Sequence, residues 1–354
     1  MTLLIPPRAR RFLYSTILLA LSLLFSFVVC EGILRLLGYR GSPQSLIRNV
    51  YFVDDPILDW RRLPNSEYTE GPIDYKYNTF GFRDIDHTFL TPAHKQRIVV
   101  LGDSITEGYG VEWRSVFAPY IQSRLGDGFE VINIAASGLN TPQEIHLFSQ
   151  TGLQYRPELV VLNFVLNDCD FYSNFKSGQK YAALKDSRID LIGLSVDPGV
   201  KRVLKSSAFL YFVKQNLEDL IGRFRGIPKT DYYSEIWEKQ ENRKKITTGF
   251  DQLAALQKEN GFDVLVIIWP LLTSYDTYRF QSIHQWVKDQ AQKRDFSTID
   301  LLAKFSSFPY RKLQITSEDS THPNALGHEI AAETFLAWYR AKGRQQLSQV
   351  DPHM

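Results

Sequence analysis

Gln96-Arg97-Ile98-Val99-Val100-Leu101-Gly102-Asp103-Ser104-Ile105-Thr106 is the stretch from which the fold can be read. Its apolar residues follow one another without alternating with polar ones, and a glycine closes the run. That pattern suits a short parallel strand covered on both faces. Four further runs resemble it: 129–134, 159–164, 262–268 and a weaker one at 296–300. Between them lie stretches with helical character, at about 116–125, 142–151, 233–260, 278–293 and 323–341. Strand and helix in alternation predict a doubly wound α/β sheet of about five parallel strands.

Outward from this core, composition limits the options. Of 354 residues, 44% are hydrophobic and 23% charged, enough for a large core and too apolar for global disorder. Lys plus Arg is 41 against Asp plus Glu at 39, so the net charge of +2 points to no nucleic-acid partner. The two cysteines, Cys30 and Cys169, provide neither a disulfide framework nor a Cys-rich zinc site. The histidines show no metal-ligand spacing.

The apolar residues are unevenly placed. Phe12 to Cys30 carries no charge, proline or glycine. As a helix it would be about 28 Å long, close to the bilayer's hydrocarbon thickness. Arg8, Arg10 and Arg11 precede it, which by the positive-inside rule puts the N-terminus in the cytoplasm and the remainder across the membrane. A cleaved signal peptide is the competing reading. Val28 and Val29 before Cys30 suit neither signal-peptidase cleavage nor a lipoprotein site, so an uncleaved signal anchor is expected. Glu31 and Arg35 at i,i+4 extend the helix to about Leu37, with an end near Gly38.

The expected organisation is therefore a cytoplasmic tip and anchor at 1–40, an irregular collar with short strands at 41–95, and an α/β domain at 96–345. The crossover from Asp170 to Gly261 is far longer than a minimal one. With an amphipathic pattern at 208–224 and charged residues at 235–245, it is expected to form a helical insertion at about 170–261.

Chemistry-bearing residues sit at strand ends. Ser104 follows the first strand, where α/β folds place their ligands, and backbone N–H groups of the next helix can face a developing oxyanion. A serine there is equally a helix N-cap. Asp319-Ser320-Thr321-His322-Pro323-Asn324 precedes the last helix. Asp319 and His322, three apart on one turn, can serve as carboxylate and base for a serine nucleophile, or Asp319 or Ser320 can simply cap the helix. Gly138 can lend a backbone N–H, and Asn167 a side-chain amide. Alternatively, they form an ordinary turn and an Asx turn.

Four such blocks, in order, resemble the SGNH (GDSL-type) hydrolase superfamily: Gly102-Asp103-Ser104-Ile105-Thr106, Gly138, Asn167-Asp168, and Asp319 with His322. The resemblance spans roughly 96–340, apart from the insertion. It implies a flavodoxin-like three-layer α/β/α sandwich, with Ser104 as nucleophile, His322 as base and Asp319 as orienting carboxylate. Ser104, Gly138 and Asn167 would be the oxyanion donors. Val165 stands where the family often has a glycine two residues before the asparagine. No Gly-x-Ser-x-Gly elbow occurs, so an α/β-hydrolase is not indicated.

Arg83, in Asn78-Thr79-Phe80-Gly81-Phe82-Arg83-Asp84, is a candidate partner for a substrate carboxylate or phosphate, or for a structural ion pair. Similar segments occur in membrane-anchored bacterial members of the superfamily. Trp113, Trp269 and Tyr275 are candidates to stack on a sugar, or are core. His328, six residues after His322, is expected to pack or cap, and Cys169 to be structural. The expected activity is hydrolysis of O-acetyl or short acyl esters on an extracytoplasmic (periplasmic) glycan or lipid-linked saccharide. No metal or organic cofactor is required. The partners expected are an ester-bearing small molecule or glycan and the cytoplasmic membrane. The alternatives are an O-acyltransferase using the same residues, or a non-catalytic glycan-binding assembly factor.

Overall fold

The computed structural model describes residues 7–36, 52–55, 58–169, 207–210, 212–213, 232–316 and 319–350. Much of the expected insertion, 170–206 and 214–231, lies outside the described residues, as does the expected helix end near Gly38. The chain divides into two units.

The first unit contains helix α1 (Pro7–Leu36) and residues 207–213. Among the described residues α1 is the one helix long and apolar enough to cross a membrane, the character of a membrane anchor or a signal sequence. Glu31 bonds Arg35 at 2.7 Å in the expected i,i+4 pair. It also accepts the Ser207 hydroxyl at 2.7 Å and the N–H groups of Ala208 and Phe209 at 3.1 and 2.9 Å. Phe209 meets Phe27 edge-on at 5.6 Å.

In the second unit, strands β1 (Phe52–Asp55) and β2 (Asp59–Arg62) form one antiparallel hairpin. Strands β3 (Glu67–Glu70) and β4 (Ile73–Lys76) form another. Five strands then make the central sheet: β5 (Gln96–Gly102), β6 (Phe129–Ala135), β7 (Leu159–Phe164), β8 (Asp263–Ile268) and β9 (Ser297–Asp300). All pairings are parallel, in the order β6-β5-β7-β8-β9. The crossovers are α2 (Ser104–Glu107) with α3 (Phe117–Leu125), α4 (Thr141–Gln150), α5 (Tyr232–Glu238) with α6 (Gln240–Asn260), and α7 (Gln281–Gln292). Helices α8 (Leu302–Phe305) and α9 (Ala325–Val350) follow the last strand.

The unbroken apolar runs are used on both faces, as two-sided burial requires. Val99, Leu101, Ile132, Ile134, Val160, Leu162, Val264 and Val266 pack with Ile145, Phe148, Phe250 and Val287 of α4, α6 and α7. Ile98, Val100, Val131, Val161, Leu265 and Ile267 pack with Phe117, Ile121, Ala331 and Phe335 of α3 and α9. This is the three-layer α/β/α sandwich with five parallel strands. The chain goes from β5 outward to β6 on one side, then crosses back to β7 on the other side of β5, so β5 and β7 flank the topological switch point where such sheets bind ligands.

The collar is tied to this sheet by buried polar groups. The fully buried Arg97 donates to the carbonyls of Thr88, Phe89, Leu90 and Tyr155, and pairs with Glu130 at 2.7 Å. The Asp84 carboxylate accepts the Asn133 N–H at 2.7 Å. Asn78 shapes the turn by accepting the N–H groups of Phe80 and Phe82, each at 3.0 Å.

Candidate active site

The turn after β5 is closed by Asp103. Its side chain caps α2 by accepting the Ile105 N–H at 2.9 Å, which leaves the Ser104 side chain out of the cap. Gly102 lets the turn fold back on α2, since a Cβ there would stand 2.0 Å from Thr106 Oγ1. Thr106 Oγ1 in turn accepts a hydrogen bond from Asn163 at 3.0 Å. Ser104 is left 8% exposed at the C-terminal edge of the sheet.

His322 and Asp319 approach from the loop before α9. Ser104 Oγ lies 2.8 Å from His322 Nε2, and His322 Nδ1 lies 2.8 Å from Asp319 Oδ2. Asp319 Oδ1 accepts the N–H groups of Thr321 and His322 at 2.9 and 2.8 Å. Burial opposes its charge, but His322 and these N–H groups outweigh burial and hold the carboxyl below its ordinary range. A charged acceptor at Nδ1 keeps the proton there and leaves Nε2 to accept from Ser104. The helix cap falls to Asn324, whose Oδ1 accepts the N–H groups of Leu326 and Gly327 at 3.1 and 3.3 Å. The loop is anchored where the Leu272 N–H meets the Ser320 carbonyl at 2.7 Å. The Tyr109 ring lies 4.9 Å from the His322 ring.

Gly138 and Asn167 occupy the turns after β6 and β7. Gly138 is exposed with φ +80°, a conformation that favours glycine. Asn167 Nδ2 donates to Asp103 Oδ2 at 2.9 Å, which also lies 3.3 Å from Ser104 Oγ. An amide carries two such protons, so one remains. The turn itself is held by Asp168, whose Oδ2 accepts the Val165 N–H and the Thr141 hydroxyl, both at 3.2 Å. Burial, with the negative charge of Asp103, pushes Asp168 well above the usual carboxylate range, and burial with the charges of Asp168 and Asp103 pushes the buried Glu144 up as well.

Arg83 and Trp269, named as possible substrate-binding residues, both lie buried in the fold. Arg83 is 2% exposed and donates to the carbonyls of Asp74, Glu107, Gly108 and Val111 at 2.6–3.3 Å. Among the described residues it makes no ion pair; four carbonyls occupy its fork of donors instead. Trp269 is 1% exposed, its N–H spent on Asn163 Oδ1 at 3.0 Å. Trp113 is half-buried, with the Arg83 guanidinium 5.9 Å from its ring. Tyr275 packs with Tyr278 and Tyr310. His328 is buried, and its Nδ1 accepts the Phe117 N–H at 3.2 Å, a cap on α3.

Sequence reasoning passed over Asp103, Glu107 and Arg62. Glu107 stands one helical turn after Ser104, and that spacing was its only signal. It is 1% exposed, accepts the Tyr77 hydroxyl at 2.5 Å, and pairs with Arg62 at 2.8 Å.

A family model described as the GDSL-like lipase/acylhydrolase family matches residues 100–330. No curated protein matches the chain. Among solved structures, an acetyl xylan esterase is 15% identical, covering 68% of this chain and 98% of its own, with a TM-score of 0.42. A putative acylhydrolase from Bacteroides fragilis is 15% identical over 71% of this chain and 89% of its own, with a TM-score of 0.41. A GDSL-like lipase from Bacteroides thetaiotaomicron is 15% identical over 70% and 89%, with a TM-score of 0.38.

Proposed function

The chain belongs to the GDSL-like lipase/acylhydrolase family and is a serine-type carboxylic ester hydrolase, and on that premise we propose that Ser104, His322 and Asp319 are its catalytic triad. The observation that carries this is the unbroken hydrogen-bonded chain from Ser104 Oγ through His322 to Asp319, 2.8 Å at each step. Ser104 Oγ attacks the ester carbonyl carbon while His322 Nε2 takes its proton. Asp319 holds the ring and stabilises the imidazolium. The tetrahedral oxyanion is met by the N–H groups of Ser104 and Gly138 and the remaining amide proton of Asn167. His322 returns the proton to the leaving alcohol, and a water deprotonated by His322 releases the acyl group from Ser104.

The proposed substrate is an O-acetyl or short acyl ester on an extracytoplasmic glycan or lipid-linked saccharide. The apolar helix α1 and the arginines at its N-terminal end support a cytoplasmic-membrane anchor with the catalytic domain in the periplasm. Ser104→Ala is expected to lower kcat on p-nitrophenyl acetate by about 10⁴-fold or more with the fold intact. Wild-type turnover in that variant would remove Ser104 as the nucleophile. Protease accessibility of the catalytic domain in intact spheroplasts tests the topology, and protection from added protease would reverse it.

A further inference from the structure

The carboxylate of Glu107 links the collar to the turn that carries Gly138. Its Oε2 accepts both the backbone N–H and the hydroxyl of Ser137, each at 2.5 Å. Its Oε1 accepts the Tyr77 hydroxyl at 2.5 Å and pairs with Arg62 Nη2 at 2.8 Å. Arg62 Nη2 also donates to Ser137 Oγ at 3.3 Å. Arg62 and Tyr77 come from the collar, and Ser137 immediately precedes Gly138.

Every group facing Glu107 is a donor, so only a group with two accepting oxygens satisfies the site. Glutamine is nearly isosteric, but it would turn an NH₂ toward donors on one side. Burial alone would raise the Glu107 pKa. The Arg62 charge and the bonds from Ser137 and Tyr77 outweigh burial and hold the carboxyl below its ordinary value. Burial likewise disfavours the Arg62 charge, and the Glu107 carboxylate restores it. The pair is therefore ionised within the protein and rigidly held, at a backbone position adjoining the site. A structural ion pair could sit anywhere on the collar interface; this one grips the peptide next to an oxyanion donor.

We propose that Glu107 is a positioning residue: charged and paired with Arg62 of the collar, it fixes the Ser137 backbone so that the Gly138 N–H faces the oxygen on which negative charge develops. This rests on the hydrolase reading of Ser104 and Gly138. It makes the collar part of the active site's support, and it assigns the glutamate of Ser104-Ile105-Thr106-Glu107 to transition-state stabilisation acting through another residue.

The test measures kcat and KM on p-nitrophenyl acetate, together with the Ki of n-butylboronic acid. The boronic acid adds to the nucleophile and sets an anionic oxygen against the donors. Glu107→Gln is expected to lower kcat about ten- to hundredfold and weaken the boronate in proportion, since oxyanion donors tolerate little displacement. KM should stay within about threefold, because ground-state binding is untouched. Ser137→Ala keeps the backbone N–H bond and should lose less than Glu107→Gln. If Glu107→Gln fails to fold, Arg62→Gln/Glu107→Gln removes the buried cation as well and should restore a cooperative melt while remaining slow. Three results would overturn the proposal: an unchanged kcat per folded molecule, a change in KM alone, or a slowed enzyme with wild-type boronate affinity. Wild-type protein that neither turns over ester nor takes a fluorophosphonate label at Ser104 would instead overturn the hydrolase reading, and this proposal with it. Wild-type labelling with an undiminished Glu107→Gln would sink this proposal alone.

Discussion

His328 is the residue whose titration the fold changes most legibly. Burial, helped by the positive charge of Arg83, pushes its pKa down to about 3 from an ordinary 6.5. The folded protein thus keeps a neutral ring at pH values where the unfolded chain binds a proton. Stability is fully present above about 6.5 and is lost as pH falls toward about 3, at about 1.4 kcal/mol per pH unit for this group. His328→Gln keeps an acceptor for the Phe117 N–H without a proton to take up. Its unfolding free energy, from urea titrations between pH 7 and 4, should fall less steeply than that of the wild type. Equal slopes would show that His328 is not the acid-sensitive group. The burial of His328 was legible as packing or capping from its six-residue offset from His322; its partner on α3 was not, because nothing local in the sequence names it.

Among the elements, the long helix expected at 233–260 is two helices, α5 and α6, separated at Lys239, whose backbone is extended (φ −70°, ψ 109°). No proline or glycine marks the break, so propensity gives no warning of it. Tertiary contacts account for it: Trp237 Nε1 donates to the Leu166 carbonyl at 2.8 Å, and Asn242 Nδ2 donates back to the Ile236 carbonyl at 2.9 Å. Leu166 opens the turn that carries Asn167, so the break sets α5 against one wall of the site. Trp237→Phe keeps a ring but strands the buried Leu166 carbonyl, and should cost about 1–3 kcal/mol in chemical denaturation. A loss of a few tenths would mean the carbonyl finds another donor. The strands were far easier to place. Their apolar runs mark them within a residue or two, because burial on both faces leaves its record in each run itself.

For the whole molecule, the collar carries more than its irregular sequence suggests. Arg97, Glu107 and the Asn133 N–H each depend on residues before Gln96. A chain beginning at Gln96 would leave the buried Glu107 carboxylate without Arg62, a loss of about 3–5 kcal/mol against a total stability of about 5–15 kcal/mol, and would take the collar carbonyls and carboxylate from Arg97 and the Asn133 N–H as well. It should show no cooperative thermal melt by circular dichroism; a normal melt would show the collar to be dispensable. By itself the sequence determined the five-strand parallel core, the apolar helix at the N-terminus and the order of the four blocks, because apolar runs and strand-end motifs are local properties of the chain. Tertiary structure alone decided which polar groups serve the site. Ser104 and His322, 218 positions apart, meet at 2.8 Å only once the sheet is assembled. Asp103 and Asn324 take over the capping that Ser104 and Asp319 could have done, while Arg83 and Trp269 turn inward to backbone and core. Buried polar groups must find partners, and the partner within reach is set by which distant elements the fold brings together.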